Sequence, residues 1–412
     1  MKKLWPALTL LTLVYLFFRV FNLTNNLNFS ADQGQILLKT YEIWQKKEIA
    51  LIGPPTSFTF EGRYFFHGPA VYYLLAPMMA LGGWQVLAGS AFIIGLNLVA
   101  LWLIFFSGKK LFGPKVGFLS AFGFAIFPEA VYYSRFVWNP NFLPLTGALI
   151  LCLVAGMWPL KTTWRTFLIG FLFGLGLQFH FQTVLLILVA GIYWISKSKN
   201  KFKTCLLIGA GFVLGYLPLI LFELRNNFYN LRTIWFVLKF GGFNKAQLPP
   251  SYYFLIWLPF LFVFGTGFLF KLAGKQKWVY IIFAGLFLWW FLSSWSQTQG
   301  NRGMPTGWRY PYAQKASQII EQQKLTNVNV ADLLSGDTRA YAQRYLLTVK
   351  RVKLLDVDAY PQADYLFVIS RDDAAKVAAY PVWEIQSFNG QIKEKWQLDE
   401  RGIFWLYLFS KK

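Results

Sequence analysis

Carboxylates are scarce in the first 300 residues of this chain, where only six occur, and four of them (Asp32, Glu42, Glu48, Glu61) share one polar stretch after the first hydrophobic run. That crowding marks a place for proton transfer or ion binding. Asp32 follows Ser30 and precedes Gln33, an S-x-x-Q capping box that starts a helix at Ser30, and Leu37, Tyr41 and Trp44 then mark one apolar face. Two readings of Asp32 stand side by side. A first-turn acid is favoured by the helix dipole by about 0.3–1 kcal/mol; the same helix end would also keep a general base or metal ligand ionised. Glu129 lies in Phe127-Pro128-Glu129 at the end of an apolar run. A buried charge there costs on the order of 2.5–3.5 kcal/mol at a bilayer centre and less near its surface. Arg135 is its candidate partner in a structural ion pair, the alternative being a functional acid.

His67 and His180 are the only two histidines, and Gln178 and Gln182 flank the second. Single histidines are more often structural than ligating, and two in separate loops do not make a zinc site. No phosphate-cradling glycine loop, Ser-His-Asp order or Cys-x-x-Cys motif is present. Cys152 and Cys205 sit in or beside apolar runs and read as small buried hydrophobes.

The elements that must position these residues are membrane helices. The 412-residue chain is 56% hydrophobic, against about 45–50% in soluble domains. Apolar runs fall near 4–22, 84–107, 116–134, 142–160, 166–196, 204–222, 252–270 and 278–296. The first reads as an uncleaved span, since no small-residue cleavage site follows it. Basic clusters at Lys2-Lys3, Lys109–Lys115, Lys161–Arg165, Lys197–Lys203 and Lys271–Lys277 are placed inside by the positive-inside rule. Parity then requires the 166–196 run to cross twice, turning at the polar tip Gln178–Thr183. The expected fold is an α-helical polytopic membrane protein of about nine membrane helices, with the N-terminus cytoplasmic and the C-terminus extracytoplasmic. The net charge of +22 fits an anionic membrane face rather than nucleic acid.

This assignment puts all six acids outside, together with Arg19, Arg63, Arg135, Arg225 and Arg232, while the inner loops carry thirteen Lys and one Arg. Arginine binds phosphate bidentately where lysine acts as a point charge. Outer arginines beside acids therefore suggest a phosphate-bearing ligand, the alternative being snorkelling interfacial side chains. Within the 224–250 loop, Phe228–Phe240 reads as an amphipathic interfacial helix, and 67–83 as an interfacial or re-entrant one. Residues 1–300 form the membrane domain, with a first external loop at 24–83. Residues 301–412 form a small α/β domain with helices at 310–323, 337–347 and 372–379 and strands at 328–334, 365–370, 383–388 and 402–409. Asn389-Gly390 reads as a hairpin turn.

The first span, the external Asp32 helix, Gly53-Pro54-Pro55-Thr56-Ser57 and His67-Gly68-Pro69-Ala70-Val71-Tyr72-Tyr73 together resemble the GT-C membrane glycosyltransferases. They are most similar to the protein O-mannosyltransferase-like group that includes aminoarabinose–lipid A transferases. Tyr133–Asn141 and Gly215-Tyr216-Leu217-Pro218 with Phe222-Glu223-Leu224-Arg225 extend the resemblance over residues 1–300; the tail matches only in placement. The resemblance implies a polyprenyl-phosphate-linked sugar donor, transfer on the outer face of the plasma membrane, and Asp32 as the base activating a lipid, glycan or protein acceptor. It implies that Arg135 and Arg225, with Arg63, hold the donor phosphate. His67, Asn139, Gln178, His180, Gln182 and Glu223 complete the substrate-binding set. Relatives often have Asp-Glu at Asp32-Gln33 and Asp-Pro at Asn139-Pro140. The second acid is therefore missing or supplied by Glu129, and a divalent cation (Mg or Mn), held by Asp32 and Glu129 if by anything, stays an open requirement. A lipid-linked sugar transporter or flippase is the alternative, although no internal repeat or mid-membrane charge supports it; an inactive glycan-assembly protein is the third reading.

Overall fold

The computed structural model describes residues 4–241, 250–274 and 276–411. Lys2-Lys3, Lys275 and the 242–249 part of the 224–250 loop lie outside the described residues. The chain forms two compact units: Met1–Phe21 with Lys46–Thr298, and Asn22–Gln45 with Gln299–Lys412. The Asp32 segment thus groups with the C-terminal residues, for reasons given below.

The first unit is a helical bundle punctuated by proline. Pro114, Pro128, Pro144, Pro218 and Pro259 each open a helix at its first or second position, where the missing N–H costs nothing. These breaks shorten the spans that hydropathy suggests. Among the described residues, two helices are long and apolar enough to cross a bilayer, Val86–Phe112 and Ser251–Ala273, or three if Lys201–Gly215 and Leu217–Arg225, bent by 74°, count as one. The other apolar helices are shorter, so helix lengths do not give the expected nine crossings. The 166–196 run is two helices, Thr162–Phe179 and Thr183–Ser196, turning at its polar tip. The amphipathic segment is a helix over Tyr229–Phe240, and Ala70–Leu81 is a short one of twelve residues. Cys152 is buried, whereas Cys205 is exposed on its helix.

The Thr162–Phe179 and Lys201–Gly215 helices meet backbone to backbone through glycines four residues apart on both sides. A Cβ on Gly170 would lie 2.1 Å from the Ile208 carbonyl oxygen, and one on Gly211 would lie 2.1 Å from that of Phe167. Small residues at this spacing are how helices approach where lipid removes the hydrophobic drive. In the loop before Ala70, strands β1 (Pro55–Phe60) and β2 (Arg63–Phe66) form an antiparallel hairpin that hydropathy does not reveal.

The second unit carries a four-stranded sheet in the order β3-β4-β6-β5. Strands β3 (Val328–Asp332) and β4 (Tyr365–Ser370) are parallel; β6 (Trp405–Lys411) runs antiparallel to β4 and to β5 (Gly390–Gln397). Tyr360, Leu366, Val368, Phe388, Tyr407 and Phe409 form its core. Helices Tyr310–Gln322 and Tyr341–Val349 pack against each other. The expected strand at 383–388 is instead a helix, Trp383–Phe388, ended by Asn389 at φ 51°. A left-handed Asn both caps helices and turns hairpins, so Asn-Gly misled. The true hairpin joins β5 to β6, where Asp399 Oδ1 accepts from the Ile403 and Phe404 amides at 2.9 and 2.8 Å.

Candidate functional site

In the first unit, two sequence motifs are drawn together by backbone pairing. The Gly53 amide donates to the His67 carbonyl at 2.7 Å, and the His67 amide donates to that of Pro54 at 3.0 Å. The pairing continues the β1–β2 hairpin and brings Gly-Pro-Pro beside His-Gly-Pro. Gln178 then locks this crossing to the bundle. Its carbonyl accepts from the Gly68 amide at 2.9 Å, its Oε1 from the Ala70 amide at 3.2 Å, and its Nε2 donates to the Gly215 carbonyl at 2.6 Å. A Cβ on Gly68 would meet the Gln178 side chain at 2.4 Å, so glycine is required there. Gln178 is a pin between segments rather than a group facing a ligand.

The two histidines, distant in sequence, lie together. Their ring centroids are 5.1 Å apart, and His180 packs edge-on against Tyr252 and Tyr253. Nδ1 of His180 accepts from the Gln182 amide at 3.3 Å, which leaves Nε2 as the protonated nitrogen of a neutral ring. Burial brings His67 down to about 4; burial, and then the His67 charge, depress His180 further. Both rings are neutral at physiological pH. A group with a depressed folded pKa contributes stability above its unfolded pKa, here 6.5, and loses it as pH falls towards the folded value. Unfolding measured from pH 7 to pH 4 is therefore expected to show stability falling across that window. For His67 the loss is about 3 kcal/mol, and His67→Phe flattens the curve. A curve for the parent that is already flat over this range would refute the buried neutral pair.

Gln182 Nε2 donates to the Tyr252 carbonyl at 3.1 Å, while its buried Oε1 has no hydrogen-bond partner among the described residues. Gln182 lines a cavity of about 490 Å³ whose other walls include Phe65, Leu185, Val237, Tyr253 and Trp257. The chamber is thus predominantly apolar, with Gln182, Thr233 and Tyr253 as its polar residues.

The remaining candidates separate. Glu129, half-buried, accepts from Ser251 Oγ at 3.0 Å. It does not pair with Arg135, which is 1% exposed and donates from Nη1 to the Thr298 carbonyl at 2.8 Å and from Nη2 to that of Phe18 at 2.5 Å. Arg135 is therefore spent on backbone. Arg19, not singled out for a site, is equally buried and donates to the Ala125 carbonyl at 2.6 Å, capping the end of the Pro114–Ile126 helix. Glu223 is buried and accepts from the Asn230 and Leu231 amides at 3.1 and 3.3 Å, satisfying the start of the Tyr229–Phe240 helix. Asn139 is buried with Oδ1 unpartnered among the described residues. Arg63 and Arg225 are exposed, with Arg63 lying 5.6 Å over Phe236. No group of three His, Cys, Asp or Glu side chains converges among the described residues, so the requirement for a divalent cation stays open.

Asp32 belongs to the second unit. It lies exposed in the first turn of the Ala31–Lys46 helix. The Ser30 amide and Oγ both donate to Gln33 Oε1, at 3.1 and 2.7 Å, so Gln33 serves as the capping partner that the motif anticipates. Tyr252 and Tyr253 escaped the sequence reading because aromatic residues are common throughout this chain.

In the sequence, residues 66–222 match the family model described as dolichyl-phosphate-mannose-protein mannosyltransferase. No curated protein matches the chain. Among solved structures, ArnT from Cupriavidus metallidurans in the apo state is similar at 11% identity and a TM-score of 0.49, over 99% of this chain and 98% of that one. The Archaeoglobus fulgidus oligosaccharyltransferase complex with Zn and sulfate is similar at 12% identity and a TM-score of 0.40, over 93% and 47%.

Proposed function

We propose that the chain transfers a sugar from a polyprenyl-phosphate-linked donor to an acceptor at the extracytoplasmic face of the plasma membrane, with inversion at the anomeric carbon. The observation that carries this reading is the 490 Å³ cavity with its predominantly apolar lining. Such a chamber suits an isoprenoid chain, since burying each CH₂ gains about 0.8 kcal/mol. Gln182, Thr233 and Tyr253 supply the polar side chains of the chamber lining. The family match over residues 66–222 supports the reaction class.

In the reaction, Asp32 takes the proton of the acceptor hydroxyl as its oxygen attacks the anomeric carbon. The bond from that carbon to the phosphate oxygen breaks, and polyprenyl phosphate leaves with the electron pair. Exposed Arg63 and Arg225 offset the charge that develops on the departing phosphate. His67 and His180, as neutral rings, orient the sugar by hydrogen bonds rather than by charge.

The test uses membranes of cells deleted for the gene, which supply both the unused donor in their lipid extract and the unmodified acceptor. Purified full-length protein added to these membranes is expected to consume the lipid-linked sugar and add its mass to an envelope component. Val237→Trp, which fills the cavity, is expected to raise the apparent KM for the lipid extract at least tenfold with the fold intact. If lipid-linked sugar instead crosses vesicle bilayers without being consumed, the protein is a transporter and the enzyme reading fails.

A further inference from the structure

The helix that bears Asp32 is an integral part of the C-terminal unit. Asn22–Gln45 groups with Gln299–Lys412, and two anchors bracket the acid. On one side Phe29, 1% exposed, packs edge-on against Tyr310 and Tyr345 with ring centroids 5.4 and 6.4 Å away. Tyr345 itself is fully buried. On the other side Gly34 presses its backbone onto the start of the Tyr341–Val349 helix. A Cβ there would lie 2.3 Å from the Ala342 nitrogen and 2.4 Å from the Tyr341 carbonyl carbon. Both obstacles are backbone, so no rotamer change relieves them. Behind these, the Gly300 amide donates to Asn26 Oδ1 at 3.1 Å, and Ile36 and Leu37 are buried.

Asp32 thus lies three residues after one anchor and two before the other. We infer that the C-terminal unit is the scaffold that positions the catalytic base, with Phe29, Gly34, Tyr310 and Tyr345 as positioning residues. The inference rests on the reading of Asp32 as base. It gives the C-terminal unit a role in turnover itself, beyond covering the site or binding an acceptor. The physical case is one of tolerance. A base must come within about 2.6–3.2 Å of the proton it takes, and a misplacement of about 1 Å can cost on the order of 10²-fold. A methyl group on Gly34 needs about that much room, because ordinary carbon contacts begin near 3.5 Å.

The experiment compares Gly34→Ala, Phe29→Leu, Asp32→Asn and, as control, Gln35→Ala in the full-length protein. The probe is the lipid extract and membranes of deletion cells, with initial rates measured across a titration of the extract. Hydrogen exchange of residues 31–46 reports whether the helix has loosened or shifted. Gly34→Ala and Phe29→Leu are expected to lower apparent kcat at least tenfold with KM for the extract unchanged, and to speed exchange in 31–46. Gln35→Ala should behave as the parent. Should Gly34→Ala not fold, Phe29→Leu, which keeps an apolar side chain in place, decides alone. Parental kcat in a variant whose exchange shows a disturbed helix overturns the inference, as does a rise in KM at constant kcat. If Asp32→Asn keeps full turnover, the base reading has failed; if Asp32→Asn is inactive while both anchor variants turn over normally, only the positioning role has failed.

Discussion

Asp32→Asn is expected to reduce glycosyl transfer by roughly 10²–10⁴-fold, the range that a positioned general base supplies, while leaving the protein folded. Asparagine has almost the same shape and is itself compatible with a helix start. The substitution therefore removes the charge and the proton acceptor while keeping the side-chain shape. Asp32 is exposed, so no buried charge is exposed or stranded by the change. If the acid serves only the helix dipole, the loss is at most about 1 kcal/mol of stability and turnover is untouched. The two readings left open by the sequence thus differ by orders of magnitude in one rate measurement. Apparent kcat and melting temperature, measured on the same preparation, separate them; full turnover with a small drop in melting temperature refutes the base.

What was legible in the sequence follows from how local each signal is. Ser30-Ala31-Asp32-Gln33 encodes a helix start over one turn, and the structure has it there. The polar tip Gln178–Thr183 forces a reversal inside a long apolar run, and two helices turn at it. Both β3 and β4 read as strands because they are buried runs bounded by turns. Trp383–Phe388 fails because its decisive signal, Asn389, serves two different turns equally well. The histidine pair was invisible because it depends on the Gly53–His67 backbone pairing and on Gln178, whose contacts with Gly68 and Ala70 are made across more than a hundred residues of sequence. Helix lengths in the apolar runs depart from the hydropathy windows for another reason. Hydropathy windows average across proline, whereas the backbone does not: Pro128 and Pro218 each start a new helix within an apolar run. The grouping of Asn22–Gln45 with the C-terminal residues is not legible locally, because the segment is continuous in sequence with the first span, yet its apolar contacts, Phe29 with Tyr310 and Tyr345, are made nearly 300 residues downstream. The role of each buried ionisable side chain was hardest to read. Residue type showed that Arg135 and Glu223 were polar residues in an apolar setting, but both ligand and backbone are plausible partners for such groups.

Arg135→Leu is expected to destabilise the first unit by about 2–6 kcal/mol, because it leaves the Thr298 and Phe18 carbonyls unpaired at roughly 1–3 kcal/mol each. Against a total stability of about 5–15 kcal/mol, that loss should be visible as reduced folded yield. The reading of Arg135 as a phosphate ligand makes the opposite prediction, a raised KM for the donor in a protein of normal stability. The geometry favours the strut. Both Nη atoms are used, the side chain is 1% exposed, and burial lowers the guanidinium only to about 10, so it stays charged at neutral pH. Arg19 lies in the same region and is also fully buried. Neither makes an ion pair with a carboxylate among the described residues. Two like charges would be intolerable there if solvated by nothing, but each is aimed at carbonyls near helix ends. Arg19 takes that of Ala125 at the end of the Pro114–Ile126 helix, and Arg135 takes that of Phe18 near the end of the Leu4–Val20 helix. Those carbonyls lack intrahelical donors and carry the negative end of the dipole, so the cations and the helix termini satisfy one another. Arg135→Lys sharpens the test. An ammonium keeps the charge but cannot span two carbonyls as a planar fork does. It should recover only part of the stability, whereas a phosphate-binding role would let lysine restore most of the donor affinity. Thermal unfolding and donor KM measured on Arg135→Leu and Arg135→Lys decide between them, and unchanged unfolding in both variants refutes the strut.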